Sequence, residues 1–176
     1  EAVYVYDTCI NGKGYLCTSV SSAATTTRTY NPAGLIAIEQ KTIGTTTYTQ
    51  SYVFDQQNNQ TQIIYPDNSD VKYTFNTAGL LEKVAQRENG GIYRDIISNY
   101  NYGPTGQVIY QLHGNGASTT RTYDANELYR LRSIVTTATN PTGGGGIALA
   151  QLEDGLLLSS SSEMSKSMAT KSEERR

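Results

Sequence analysis

Apolar and polar residues alternate with a period of two in short runs through residues 1–137. In Val71-Lys72-Tyr73-Thr74-Phe75 the set Val71, Tyr73 and Phe75 falls on one face and Lys72 and Thr74 on the other, because residues two apart on a strand point the same way. Such a run predicts a half-buried strand. Val108, Tyr110 and Leu112 alternate in the same manner within Gln107–Leu112, and Leu35–Ile38 supplies a further short apolar run. Turn-forming clusters separate the runs: Pro32-Ala33-Gly34, Asp67-Asn68, Thr77-Ala78-Gly79, Asn89-Gly90-Gly91, Pro104-Thr105-Gly106 and Gly114-Asn115-Gly116. Glycine supplies the positive φ of a tight reversal, and Asn or Asp can bond its own backbone there. The pattern predicts strand, turn, strand, turn.

The pattern repeats. An aromatic residue followed by Asp, Asn or Gly recurs as Tyr6-Asp7, Tyr30-Asn31, Phe54-Asp55, Phe75-Asn76, Tyr102-Gly103 and Tyr123-Asp124, at spacings of 24, 24, 21, 27 and 21 residues. Two residues before these anchors stand Tyr4, Arg28, Tyr52, Tyr73, Tyr100 and Arg121, and Gly34, Gly79 and Gly106 stand shortly after three of them. A period of this size marks stacked supersecondary units. Two strands of about six residues and two turns of about five sum to roughly 22 residues, so each unit is one β-hairpin. A lone hairpin is marginal in water, so the units must share a sheet.

Composition sharpens this reading. Hydrophobic residues make up 37% of the 176, with no Trp and two Phe, while there are 14 Tyr. All the aromatic residues lie between Tyr4 and Tyr129, so tyrosine must supply the core and residues 138–176 fall outside the repeat array. Burial of the rings against the sheet is the expected use of the tyrosine stripe. Exposed rings in a row could instead stack on carbohydrate. The net charge of −2 and the dispersed 14 Lys and Arg provide no basic stripe for a phosphate backbone, which argues against nucleic acid. No run approaches the about 20 apolar residues that span a bilayer. The chain opens at Glu1 inside a strand pattern, which we read as a fragment of a longer product.

On these residues the chain resembles the Rhs or YD-repeat family, whose units read Tyr-x-Tyr-Asp-x-x-Gly before a short apolar strand. The match spans residues 1–137. It is best in Tyr4-Val5-Tyr6-Asp7 with Asn11-Gly12-Lys13-Gly14-Tyr15-Leu16-Cys17, in Tyr65-Pro66-Asp67-Asn68-Ser69, and in Tyr73-Thr74-Phe75-Asn76-Thr77-Ala78-Gly79-Leu80. The resemblance implies an all-β ribbon of antiparallel hairpins, an incomplete turn of a spiral shell. In whole family members, bacterial and secreted or surface-exposed, that shell encloses a C-terminal toxin. The implied partners are neighbouring repeats of the same longer chain and an encapsulated toxin domain. Asn stands for the motif Asp at 31 and 76, and Gly103 stands for it in the fifth unit. The Asp-Pro-x-Gly segment at which some members cut themselves has no counterpart, Asp154-Gly155 being different, so no self-cleavage is carried over. Six hairpins are too few to close a shell, and unpaired strand edges are expected.

Residues that could carry chemistry are few. Cys9 and Cys17 flank a Gly-rich turn; a cross-strand disulfide, which needs Cβ atoms within about 4.5 Å, and two semi-buried thiols both fit. His113 is the single histidine, so a zinc site with its about four ligands is not expected, and a solvent-facing strand end suits it better than a catalytic role. Gly12-x-Gly14 is read as a turn because no helix pattern follows it to hold a pyrophosphate. Asp7, Asp55 and Asp124 recur at one station, which favours backbone capping in every unit over a catalytic pair or calcium ligands. We therefore expect no cofactor, no metal and no catalysis, and a structural role, with a carbohydrate-binding or adhesion module as the alternative.

Beyond residue 137 the repeat ends. Gly143–Gly146 reads as a linker, Ile147–Leu152 as one or two turns of helix, and Ser159–Arg176 as a low-complexity end. The expected architecture is thus a repeat array over residues 1–137 and a disordered or weakly helical tail over 138–176.

Overall fold

The computed structural model describes residues 1–138 together with the backbone of 147–153 and 156–158. The strands are β1 (Val3–Tyr6), β2 (Leu16–Val20), β3 (Thr25–Tyr30), β4 (Ile36–Ile43), β5 (Thr46–Phe54), β6 (Gln60–Ile64) and β7 (Asp70–Phe75), then β8 (Leu81–Arg87), β9 (Arg94–Tyr102), β10 (Val108–His113), β11 (Ser118–Asp124), β12 (Arg130–Ala138), β13 (Ile147–Glu153) and β14 (Leu156–Leu158). Each strand hydrogen-bonds to its neighbours in sequence. One 3-10 turn, Ala125–Glu127, interrupts them. The chain divides into two compact units, one of Glu1–Leu80 with Ala85–Arg94, the other of Leu81–Val84 with the described residues from Asp95 onward.

The hairpins are β1–β2, β3–β4, β5–β6, β7–β8, β9–β10 and β11–β12, and every anchor aromatic sits at or next to the end of the first strand of its hairpin. In β7, Val71, Tyr73 and Phe75 are half-buried and Lys72 and Thr74 exposed, as the alternation requires. The turn after the anchor has one repeated geometry. In Asn31–Leu35, Asp55–Asn59, Asn76–Leu80 and Gly103–Gln107 the N–H of the first residue donates to the carbonyl of the fifth, and the N–H of the fourth donates back to the first. The fourth residue is left-handed in each: Gly34 (φ 80°), Asn58 (φ 66°), Gly79 (φ 76°) and Gly106 (φ 82°). This is the three-residue hairpin loop closed by a left-handed residue. Asn58 can stand where the other units use glycine because asparagine tolerates that region. Tyr65–Ser69 and His113–Ala117, which lead from one hairpin to the next, use the same bonds.

A second regularity is not visible in the sequence. The pairing slips by one residue just before the anchor, so that Tyr6, Tyr30, Phe54, Tyr102 and Tyr123 face Leu16, Ile36, Gln60, Val108 and Leu131, while one residue of the second strand is left over each time: Cys17, Ala37, Thr61, Ile109 and Arg132. These are β-bulges, which bend and twist a strand locally. Their recurrence at one station gives these five hairpins a common kink beside the anchor.

Two expectations are corrected. Ile147–Leu152 is not helical: the segment is β13, antiparallel to β12 from Ser133↔Glu153 to Ala138↔Ile147. The unpaired N–H and C=O groups along β12 offer it more hydrogen bonds than a turn or two of uncapped helix could make internally. The linker and low-complexity readings of Gly143–Gly146 and Ser159–Arg176 lie outside the described residues. The tyrosines also do not form a closed core. Among the described residues the buried hydrophobic side chains are Cys17, Tyr30, Ala85, Ile97 and Ala117, while Tyr4 and Tyr6 are more than half exposed at 59% and 53%. Strands joined only to their sequence neighbours cover a ring on one side at most, so most tyrosines stay half-buried.

Nothing lies within 4 Å of where a Cβ on Gly79 would stand, so backbone strain alone should decide the effect of a substitution there. Gly79→Ala is expected to cost about 1 kcal/mol and Gly79→Asn much less. Urea denaturation of the two variants checks the order.

Candidate functional site

The functional surface of a repeat chain is the seam where one hairpin meets the next, and three sets of polar contacts build it. The first fastens the turns. Asn31 Oδ1 accepts from the N–H groups of Ala33 and Leu35 (both 3.0 Å), and Asn76 Oδ1 from those of Ala78 and Leu80 (both 3.0 Å). Asp55 Oδ1 does the same for Gln57 and Asn59 (both 2.9 Å), and Asp124 Oδ1 accepts from Asn126 N–H at 2.8 Å. Asn serves at 31 and 76 because one acceptor oxygen takes both N–H groups there, whereas Asp55 also uses Oδ2, which accepts from Asn59 Nδ2 at 3.0 Å. At Asp55, desolvation works against the charged form, and the hydrogen bonds from Asn59 and Gln57 outweigh it, leaving the carboxyl below its usual range. Asp7 differs. Its own φ is 67°, and its Oδ1 reaches Gly14 N–H at 2.5 Å across a longer loop.

The second set ties hairpin to hairpin. Tyr30 OH donates to Leu16 O (2.6 Å), Tyr102 OH to Leu81 O (2.5 Å) and Tyr123 OH to Val108 O (3.1 Å). Each acceptor is the first residue of the second strand in the preceding hairpin. The anchor ring thus lies against the previous repeat, and for Tyr30 and Tyr123 the accepting carbonyl, of Leu16 or Val108, adjoins that repeat's bulged residue. Phe54 and Phe75 hold the same station without a hydroxyl. Beside Phe54 a cavity of about 560 Å³ opens, lined by Tyr30, Leu35, Ile36, Tyr52 and Gln60 among others. Burial holds the hydroxyls of Tyr52, Tyr73 and Tyr102 above their ordinary pKa.

The third set centres on Asp70, the most buried side chain among the described residues at 1% exposure. Its Oδ1 accepts from Arg87 Nε (2.6 Å), and its Oδ2 from Gln62 Nε2 (2.6 Å) and from the Tyr93 hydroxyl. Lys72 Nζ and Arg87 Cζ lie 4.2 and 4.8 Å from the Tyr93 ring centroid, a cation–π arrangement. Desolvation pushes the Asp70 carboxyl up, but the bonds from Tyr93, Arg87 and Gln62 prevail and hold it below the usual carboxylate range. Both oxygens are engaged and shielded, so the group ties β6, β7, β8 and the loop before β9 together and is not placed to act as a general base. The sequence reading passed over this cluster. Its one trace is an Asp at the head of a strand pattern, where Asp is normally depleted.

The other candidates are placed as follows. Cys9 and Cys17 are joined by a disulfide, with Cα atoms 5.5 Å apart. His113 ends β10, half-buried, with Nε2 3.3 Å from Thr119 Oγ1. Among the described residues no group of three His, Cys, Asp or Glu is placed to hold a metal ion, and no helix is long and apolar enough to cross a membrane.

No family model matches the chain, and no curated protein matches it. Solved structures do. TcdB2-TccC3 superimposes on 86% of this chain with a TM-score of 0.77 at 17% identity. The chain has the fold of a segment of TcdB2-TccC3. The complex TcdB2-TccC3-Cdc42 gives a TM-score of 0.72 at 16% identity over 88% of the chain. The Photorhabdus luminescens Tc holotoxin pore gives 0.70 at 16% over 87%. The chain spans only 8 to 9% of the length of these structures. The resemblance to Rhs and YD-repeat proteins carried by the anchors is therefore met at the level of fold.

Two measurements probe the seams. Tyr102→Phe removes one hydroxyl bond and is expected to lower stability by about 1 kcal/mol, as would Tyr30→Phe; equality with wild type in urea unfolding would show that water replaces the bond at no cost. For Asp70 the folded-state pKa is depressed. The stability it contributes is therefore complete above the unfolded value of about 3.9 and is lost as pH falls through the folded value. Asp70→Ala should cost about 3 kcal/mol at neutral pH, the scale for breaking a buried ion pair, and less at pH about 2, which acid-titrated denaturation curves will show.

Proposed function

We propose that the chain is a wall segment: consecutive hairpins of a longer secreted or surface-exposed bacterial polypeptide that together enclose or present a C-terminal toxin. The observation that carries this reading is the tyrosine tether. An anchor whose hydroxyl is used only by the preceding repeat has its role in joining repeats. The polar residues at the recurrent stations are consumed in the same task, as turn caps, and a structural role accounts for them fully. The likeness to TcdB2-TccC3, one structure of which is described without its hypervariable C-terminal region, supports a chain in which such a wall accompanies a variable end.

The test is protection of cargo. The whole reading frame that carries this segment, expressed intact, should leave its C-terminal polypeptide resistant to protease until the wall is unfolded, as followed by mass spectrometry over a urea series. A C-terminal part digested as fast in native buffer as in urea would refute enclosure.

A further inference from the structure

The loop between β1 and β2 is held differently from every turn described above. It runs from Asp7 to Tyr15 and covers the end of β3 in the second hairpin: Tyr15 stacks on Tyr30 with centroids 4.7 Å apart, Asn11 Nδ2 donates to Tyr30 O (2.8 Å), and Ile10 O accepts from Tyr30 N–H (3.1 Å). This cover makes Tyr30 the one anchor aromatic counted among the buried side chains, at 7% exposure. Within the loop, Gly12 N–H donates to Cys9 O (3.0 Å), Tyr15 N–H to Gly12 O (2.8 Å) and Asp7 N–H to Tyr15 O (3.2 Å). Ile10 is 70% exposed, and Asp7 and Asn11 have left-handed backbone, φ 67° and 53°, which both residue types tolerate. The Cys9–Cys17 bond anchors the loop to β2 covalently. Cys9 N–H also donates to Cys17 Sγ at 3.0 Å, and Gly12 packs so closely on both sulfurs that a Cβ there would overlap them.

We propose that the Cys9–Cys17 disulfide is a redox-operated latch on the first seam, closed in an oxidising compartment and opened by a cellular dithiol. In the opening step a thiolate of the dithiol attacks Cys9 Sγ, the half-buried sulfur, while Cys17 is only 2% exposed. The Cys9–Cys17 bond breaks, and Cys17 leaves as a thiolate that takes a proton from water. The second thiol of the reductant then displaces Cys9 from the mixed disulfide, so that two electrons pass to the protein and the reductant ends as its own disulfide. The freed loop loses the cross-link that limits its conformations, uncovers Tyr30 and loosens the first repeat from the second. Passage from an extracellular to a cytosolic environment would supply that change of poise.

Lys13, exposed within the loop, reports the state. The full 176-residue chain is digested briefly with trypsin, with and without dithiothreitol, and the peptides are quantified. Cleavage after Lys13 should rise about tenfold or more on reduction, since proteolysis follows the population of the open form, while cleavage after Lys41 in β4 stays unchanged. The Cys9→Ser, Cys17→Ser double variant should cut at the fast rate without reductant. An unchanged rate at Lys13, or free thiols at both cysteines in protein never exposed to reductant, overturns the latch. A parallel rise at Lys41 overturns it too, by showing that the bond staples the whole fold and not one loop.

Discussion

The anchor tyrosine is the contact on which the array depends. A hairpin of two short strands buries too little apolar surface to offset the entropy of ordering it, and tyrosine is the main large aromatic residue this chain has to improve that balance, with 14 Tyr against two Phe and no Trp. A ring laid against the preceding hairpin, with its hydroxyl on that hairpin's first free carbonyl, joins burial to a hydrogen bond in one side chain. Phenylalanine, at positions 54 and 75, supplies only the first half.

The bulge makes this contact repeatable. By leaving one residue of the second strand unpaired beside Tyr6, Tyr30, Phe54, Tyr102 and Tyr123, it interrupts the ladder where a carbonyl can face the next repeat's hydroxyl. The turn caps serve the same end. Asn31, Asp55, Asn76 and Asp124 occupy donors that would otherwise be unmatched, so the chain reverses at a fixed distance from each ring. Turn, bulge and tether thus form one device, and the polar residues that looked like candidate acids or metal ligands are parts of it.

Against this regular background two features stand out because they do not recur. Asp70 with Arg87, Gln62 and Tyr93 binds elements at different separations in sequence through one shielded carboxylate. The Cys9–Cys17 bond fixes the longest anchor loop. Both appear where the repeat pattern is locally broken: a long β8–β9 connection in one case, and in the other an anchor loop extended from five residues to nine. A covalent or charge-assisted tie replaces the standard turn at each.

The hairpin repeat, its period, the turn positions and the strand faces followed from residue order alone, because a period of two and the φ preferences of Gly and Asn are local properties. Val71, Tyr73 and Phe75 on one face and Gly79 in the left-handed region needed no knowledge of neighbours. What the rings touch was decided only by tertiary structure. That Tyr102 reaches Leu81 and Tyr123 reaches Val108, that Asp70 is shielded by three donors, and that Ile147–Glu153 pairs as a strand all depend on groups brought from elsewhere in the chain. A hydrogen-bond acceptor's position is set by the bulge and pairing of another strand, which no local pattern encodes.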